Sequence, residues 1–259
     1  MLEAGEYVLS TDRGSATVGR IIETVTLSDQ VRNYLLEDMT TGRLRPGDRI
    51  NEAGLARRLG ISRNPIREAI AGLAERGYLM PLPRRGHCIR AFTIEDVNDV
   101  FSFRTCVESF AIRQAVPQLT PADVADIDSI LERMIAAARN DRVGQVRSCD
   151  LALHRRICEL SRNRQTFRAH ESIETEVLML IACVDLEHES LMQSALIHVP
   201  IVEALRSGDV EATVTAMERH IAATWSDVLK IYEEMRRARQ GAGPTASLDG
   251  DRRPRETVA

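Results

Sequence analysis

The chain has 259 residues, with 34 basic against 38 acidic residues, a formal net charge of −4 and 44% hydrophobic residues. That length allows one small and one larger domain, each with a core, and no apolar run approaches the length of a membrane span. Met1 to Arg20 lack the apolar core of a secretion signal, and the five cysteines (Cys88, Cys106, Cys149, Cys158, Cys183) include no C-x-x-C pair. A cytoplasmic location with reduced thiols is expected, without a disulfide framework or thiolate zinc site.

Residues 1–20 are polar and read as a flexible N-terminus. A first helix follows from the helical spacing of Leu27, Val31, Tyr34, Leu35 and Met39, ends at Gly42, and leads through the Pro46-Gly47 turn to a short apolar Ile50. Next comes Ala56-Arg-Arg-Leu-Gly-Ile-Ser-Arg-Asn-Pro-Ile-Arg-Glu-Ala-Ile70, which has the spacing of a helix-turn-helix. Ala56 lets two helices cross closely, Gly60 supplies the positive φ of the turn, and Ile66 plugs the second helix from below. Asn51 and Ser62 are suited to cap the two helices. Ile66, Ala69, Ile70 and Leu73 share the inward face, which leaves Arg63, Asn64 and Arg67 outside, near the end where a recognition helix meets bases and phosphates. Such a face can also be plainly solvated; the agreement of turn, caps and plug favours DNA. Gly77 ends the second helix. Tyr78 to Pro81 and Cys88 to Ala91 then predict two strands joined by the basic tip Pro83-Arg84-Arg85-Gly86, a wing. From Leu27 to Ala91 there are 12 arginines against seven acidic residues, a charge of +5, so the remainder of the chain carries −9. A basic reading head on an acidic body would be oriented by the phosphate field.

The run from Leu27 to Ala91 resembles the DNA-binding domain of the GntR family of bacterial transcription regulators. The matching text is Gly42-Arg-Leu-Arg-Pro-Gly-Asp-Arg-Ile-Asn-Glu52, Leu55-Ala56, Leu59-Gly60-Ile-Ser-Arg63, Pro65-Ile-Arg-Glu-Ala69, Leu73, Gly77-Tyr-Leu79 and Arg85-Gly86. The resemblance implies a winged helix-turn-helix over residues 21–91, with DNA contacts from Arg57, Ser62, Arg63, Asn64, Arg67, Arg84, Arg85 and Gly86. Ala53 departs from the family pattern, where an arginine often touches DNA, so no contact is assigned there.

Beyond the wing the pattern is helix after helix. Helices are predicted at Thr93 to Ala115, opening with the capping signal Thr93-Ile-Glu-Asp96, and at Thr120 to Arg139 after the Pro117 break. Others follow at Arg142 to Ser161, Arg164 to Val184, Ser190 to Ser207 and Val210 to Arg237. The fold class is therefore mainly α: a winged helix-turn-helix followed by an all-α bundle of about six helices over residues 92–238, then a flexible tail at 239–259. Asp150 and His154, four apart, project from one face of a helix, and the apolar neighbours of His198 and His220 point both imidazoles inward. One carboxylate with three imidazoles suits zinc, nickel, manganese or iron, although a buried Asp-His pair is more often a structural hydrogen bond and an inward histidine more often a satisfied core residue.

The segment from Thr93 to about Glu234 resembles the FCD domain, the ligand-binding bundle of the FadR-type branch of GntR regulators. The text that carries it is Arg104-Thr-Cys-Val-Glu108, Asp150-Leu-Ala-Leu-His154, Asn163, His198-Val-Pro-Ile-Val-Glu-Ala204, Gly208-Asp209 and Met217-Glu-Arg-His220. The resemblance implies a divalent-metal site at Asp150, His154, His198 and His220, with zinc foremost. It also implies an effector role for Arg104, whose guanidinium suits a carboxylate, with a surface or interhelical ion pair as the alternative. His87, His170 and His188 match no ligand position, and Pro200 fits the first turn of a helix. The expected function is a homodimeric, effector-responsive regulator on a palindromic operator, a repressor by the commoner family arrangement, answering to a small organic or sugar acid. Three rivals stay open: the same regulator with a metal-free acyl or lipid pocket, a metal-dependent enzyme, which has no need of a DNA-reading head, and a helical interaction protein with no ligand.

Overall fold

A computed structural model of the chain describes residues 26–184 and 191–241. The elements run α1 (Leu27–Thr40), α2 (Glu52–Leu59), α3 (Arg63–Glu75), β1 (Leu79–Leu82), β2 (Gly86–Ile89), α4 (Ile94–Ala115), a 3-10 turn (Val116–Gln118), α5 (Pro121–Arg139), α6 (Val143–Leu160), α7 (Arg164–Val184), α8 (Leu191–Leu196), α9 (Val199–Ser207) and α10 (Val210–Gly241). Of the two predicted flexible ends, residues 1–20 and 239–259, the described residues include only 239–241, the last positions of α10. No helix among the described residues is long and apolar enough to cross a membrane.

The helix-turn-helix forms as its spacing predicts. Asn51 accepts from the Gly54 N–H to cap α2, and Gly60 closes the turn at φ +65°, where a side chain on Cβ would be strained. Ile66, Ala69, Ile70 and Leu73 are buried on α3, whereas Arg63, Asn64 and Arg67 are exposed. Ser62 takes the N-cap position with extended backbone, but its hydroxyl makes no capping bond. The hairpin pairs antiparallel with Leu79 opposite Ile89 and Leu82 opposite Gly86, so the strands lie closer to the tip than predicted. The cause is a three-residue turn closed by Arg85 N–H to Leu82 C=O, with Arg84 and Gly86 both at positive φ. The segment before α2 adds itself to β2 through Ile50 N–H to His87 C=O and a bridge between Arg49 and Cys88.

Three helices begin with reciprocal capping boxes: Thr26 with Asp29 on α1, Thr93 with Asp96 on α4, and Thr120 with Asp123 on α5. The Thr93 box sets where the long α4 starts after the wing. Thr93→Ala is expected to cost about 1 kcal/mol, read as a lower urea midpoint at unchanged slope.

The predicted helix from Ser190 to Ser207 is corrected by the structure. It breaks at Ile197 and His198 into α8 and α9, because Pro200 in the first turn of α9 has no N–H to donate back into α8 and its ring opposes helical continuation. The bundle thus has seven α-helices among the described residues, in keeping with the expected bundle of about six. In it α4 packs on α6, α7 and α10, and α5 packs on α6. One buried apolar cluster runs from Leu35, Ile66 and Leu73 in the winged part to Phe101, Met134 and Leu153 in the bundle.

The two parts also touch through named contacts. Arg147 of α6 donates from Nη1 to the Thr40 carbonyl, the last of α1, at 2.8 Å, and Arg90 after the wing pairs with Glu176 of α7 at 3.2 Å. Gly42, at φ +74°, lies so near α7 that a Cβ there would stand 3.4 Å from the Ala182 carbonyl oxygen.

Candidate DNA interface and metal centre

The N-terminal end of α3 and the wing tip face each other across an open cleft of about 530 Å3. Arg49, Arg63, Arg84 and Arg85 line it against one carboxylate, Glu52, so the cleft presents surplus positive charge. Arg49 holds the wing in place by donating from Nε to the Arg85 carbonyl at 2.7 Å. Arg49 has no local signal in the sequence, since its position beside β2 is a product of the chain's return to the hairpin. Arg67 lies outside the cleft lining and pairs from Nε with Glu52 at 3.1 Å, and Arg57 and Asn64 are exposed beside it.

In the bundle, Asp150 and His154 on α6, His198 at the α8–α9 break and His220 on α10 each offer one ligand atom, and these atoms lie within 4.8 Å of one another. Helical spacing aligns the first two, and the break forced by Pro200 turns His198 toward them. The three histidines are almost fully buried, and the His198 and His220 rings are 4.4 Å apart between centroids.

The outward nitrogens are already committed. His154 Nδ1 lies 2.6 Å from Glu108 Oε2, and His198 Nδ1 lies 3.1 Å from the Ser194 carbonyl oxygen. A carbonyl only accepts, and Glu108 is ionised, so both Nδ1 atoms carry the proton and both Nε2 lone pairs face the cluster. His154 Nε2, His198 Nε2 and His220 Nδ1 are buried without a hydrogen-bond partner among the described residues. His198 Nε2 is 2.6 Å from Asp150 Oδ1, the close approach of two members of one ligand set. Buried polar atoms are seldom left this way, so the donor set fits a borderline divalent cation such as zinc. A bound cation would supply positive charge at the cavity wall and open coordination positions for an oxygen donor.

The electrostatics prepare the same chemistry. Burial, with the other two histidines and Arg104, holds His220 well below its ordinary value, and burial with Arg104 outweighs the carboxylates to lower His154. Burial pushes the Asp150 carboxyl up, but His198, His154 and Arg104 together bring it well below the usual range. Glu108 is likewise lowered against its own burial by Arg104 and His154. The pH dependence of the metal-free protein follows. An unfolded chain takes up protons at histidine near pH 6.5, which the folded cluster resists, so stability falls as pH drops below about 6.5. A second loss sets in below about pH 4, where Glu108 and Asp150 ionise in the folded state alone. Melting temperatures of chelator-treated protein between pH 8 and 3 should show both steps; a flat profile from pH 8 to 5 would contradict it.

Glu108 is the residue that spacing did not reveal. It is fully buried on α4, accepts from Arg104 Nε at 2.7 Å, and orients His154. Buried His170 approaches it too, at 3.6 Å. The sequence signal was Arg104-x-x-x-Glu108, an i, i+4 pair on an inward face.

Arg104 lies behind the cluster, beside Asp150 and His154. It is 2% exposed and borders a gap of about 10 Å3 behind Asp150 and His154, room for about one water and no effector. The larger cavity, about 210 Å3, opens on the other side of the cluster between α6, α7, α8 and α10. Asp150, His198 and His220 form one wall, Leu178 and Ile181 another, and the cation lining it is Arg147. Arg147 sits three residues before Asp150, one turn away on the same face.

A helix-turn-helix with a basic two-stranded wing, followed by a helical domain built around a histidine-rich cluster, defines a DNA-binding regulator. The family model for bacterial regulatory proteins of the gntR family matches residues 27–89, and that for the FCD domain matches residues 99–223. The chain belongs to the GntR family of transcription regulators and carries an FCD domain; it is not an enzyme. It is 28% identical over 210 residues, 80% of this chain and 91% of the relative, to the probable D-xylose utilization operon transcriptional repressor of Paenarthrobacter nicotinovorans. To the Nta operon transcriptional regulator of Aminobacter aminovorans it is 28% identical over 188 residues, 72% and 87% of the two chains. The solved structure of E. coli McbR/YncC shares the fold with a TM-score of 0.69 at 21% identity, covering 82% of this chain and all of that one.

Proposed function

We propose that the protein is a cytoplasmic, homodimeric repressor whose FCD domain holds a divalent metal and releases DNA when a small carboxylate binds beside it. The observation that carries the reading is the meeting of Asp150, His154, His198 and His220 at the wall of a cavity, with buried, unpartnered nitrogens aimed at one point. Residues 21–91 form the DNA-reading module and 92–238 the sensing module. Arg57, Ser62, Arg63, Asn64 and Arg67 read or grip one major groove, and Arg84, Arg85 and Gly86 of the wing follow the adjacent backbone. A palindromic operator suits two such modules about 34 Å apart.

The cavity, at about 210 Å3, lies below the usual range for drug-sized ligands and suits a short organic or sugar acid better than a long acyl chain. In this reading the acid's carboxylate lies between the metal and Arg147, and Arg104 supports the metal indirectly, by fixing Glu108 and through it His154. Arg147 also grips the end of α1 through the Thr40 carbonyl, so a ligand that draws its guanidinium inward loosens the head.

The test is elemental analysis of protein purified without added metal, followed by titration of a duplex selected from random sequence, with and without a panel of short carboxylic acids. Stoichiometric metal and acid-dependent release of the duplex are expected. Metal-free protein that still releases DNA with an acid would overturn the site.

A further inference from the structure

The outer face of α4 carries a surface that the regulator reading leaves unused. Phe103 and Phe110 are 43% and 46% exposed, and Cys106 between them is exposed as well. Both phenylalanines stand on a helix whose opposite face, through Val97, Phe101, Arg104 and Ile112, is packed into the core. Exposed aromatic pairs on an otherwise well-buried helix mark an interaction surface. With Asp99 and Arg113, also exposed, these residues form one stripe at spacings of four, three, four and three, the seam of a helix that packs along another helix.

The stripe is self-complementary. About Cys106, Phe103 lies three residues before and Phe110 four after, while Asp99 and Arg113 are each seven away. A two-fold axis beside Cys106 therefore sets two copies of α4 antiparallel, with Phe103 of each against Phe110 of the other. The same axis brings the acidic end of each stripe to the basic end of the other, Asp99 toward Arg113. Such pairing, in which residue i meets j and j meets i, is what a two-fold interface requires. Arg113 is held at the rim by its pair with Glu211 of α10, and Ser109 beside it bonds Glu218 of the same helix at 3.1 Å, so α10 borders the stripe on one side.

We propose that this stripe, Asp99–Phe103–Cys106–Phe110–Arg113, is the surface on which a second copy of the chain docks. The inference rests on the two-copy reading above and gives it a location. Charge complementarity between the stripe's two ends selects a second copy over an unrelated partner.

Sedimentation velocity on the full chain is the primary test. Wild-type protein is expected to be a dimer, and the Phe103→Asp/Phe110→Asp variant to dissociate at least tenfold more readily, with its melting temperature and metal content reported as controls on folding. Two measurements need no disruptive change. A short bismaleimide should link wild-type dimers, with the link lost in Cys106→Ser. Asp99→Arg should weaken the dimer, and adding Arg113→Asp should restore it. A wild-type dimer that gives no Cys106 link and is indifferent to these substitutions overturns the docking surface while leaving the two-copy reading intact. A wild-type monomer, free and on its selected duplex, overturns both.

Discussion

His154→Ala is expected to empty the metal site, with divalent-metal affinity falling by more than the roughly 10- to 100-fold that loss of an outer partner costs. The imidazole is both ligand and relay: Nε2 faces the cluster while Nδ1 is fixed by Glu108. Glu108→Gln should produce the smaller, 10- to 100-fold loss, because an amide oxygen still accepts from Nδ1 but carries no negative charge to raise the imidazole's basicity as a ligand. His220→Ala reaches the same ion from α10 without touching Glu108's partnership with Arg104, and so separates loss of a ligand from damage to the buried ion pair. Affinity is measured by competition with a chromophoric chelator, and operator binding without effector should persist in all three variants. Unchanged affinity in both His154→Ala and His220→Ala would remove the cluster as a metal site.

The second large effect lies in the cleft. Replacing Arg63, Arg84 and Arg85 together by alanine should weaken binding to the selected duplex a hundredfold or more, on the order of 3 kcal/mol at about 1 kcal/mol for each lost contact. If all three meet phosphates, the slope of log affinity against log salt falls by about 0.9 for each. Arg67→Ala differs in kind: at a base it would relax discrimination at one position by about 1–3 kcal/mol. Its pairing with Glu52 means that the same side chain must exchange a carboxylate for a base edge on binding. A triple variant that keeps wild-type affinity and salt slope would place the DNA elsewhere.

What the sequence disclosed follows the range of the interactions. The helix-turn-helix was legible because its turn, plug and Asn51 cap lie within about twenty consecutive residues, and local backbone rules decide each of them. The ligand set was legible only in part: Asp150 and His154 share a helix face, but their meeting with His198 and His220 came from family resemblance, since packing of distant helices has no local signal. Glu108 was hidden for that reason, its partner lying 46 residues away. Arg104 and Arg147 each sit about one turn from an inward acidic residue, and only the packing of distant helices places Arg147, not Arg104, on the lining of the larger cavity. The break before α9 had a local cause in Pro200, read as a helix start but not carried through to split the helix ahead of it.

The bond from Arg147 to the Thr40 carbonyl has a quantitative consequence for gene control. A hydrogen bond from a charged donor contributes about 1.5–3 kcal/mol, and each 1.4 kcal/mol is a factor of ten. On the proposed reading, a sensor that signals by breaking this one link per subunit has a dynamic range of roughly ten- to a hundredfold per head. Promoters under such a switch leak and saturate within those bounds, however tightly the inducer itself is held.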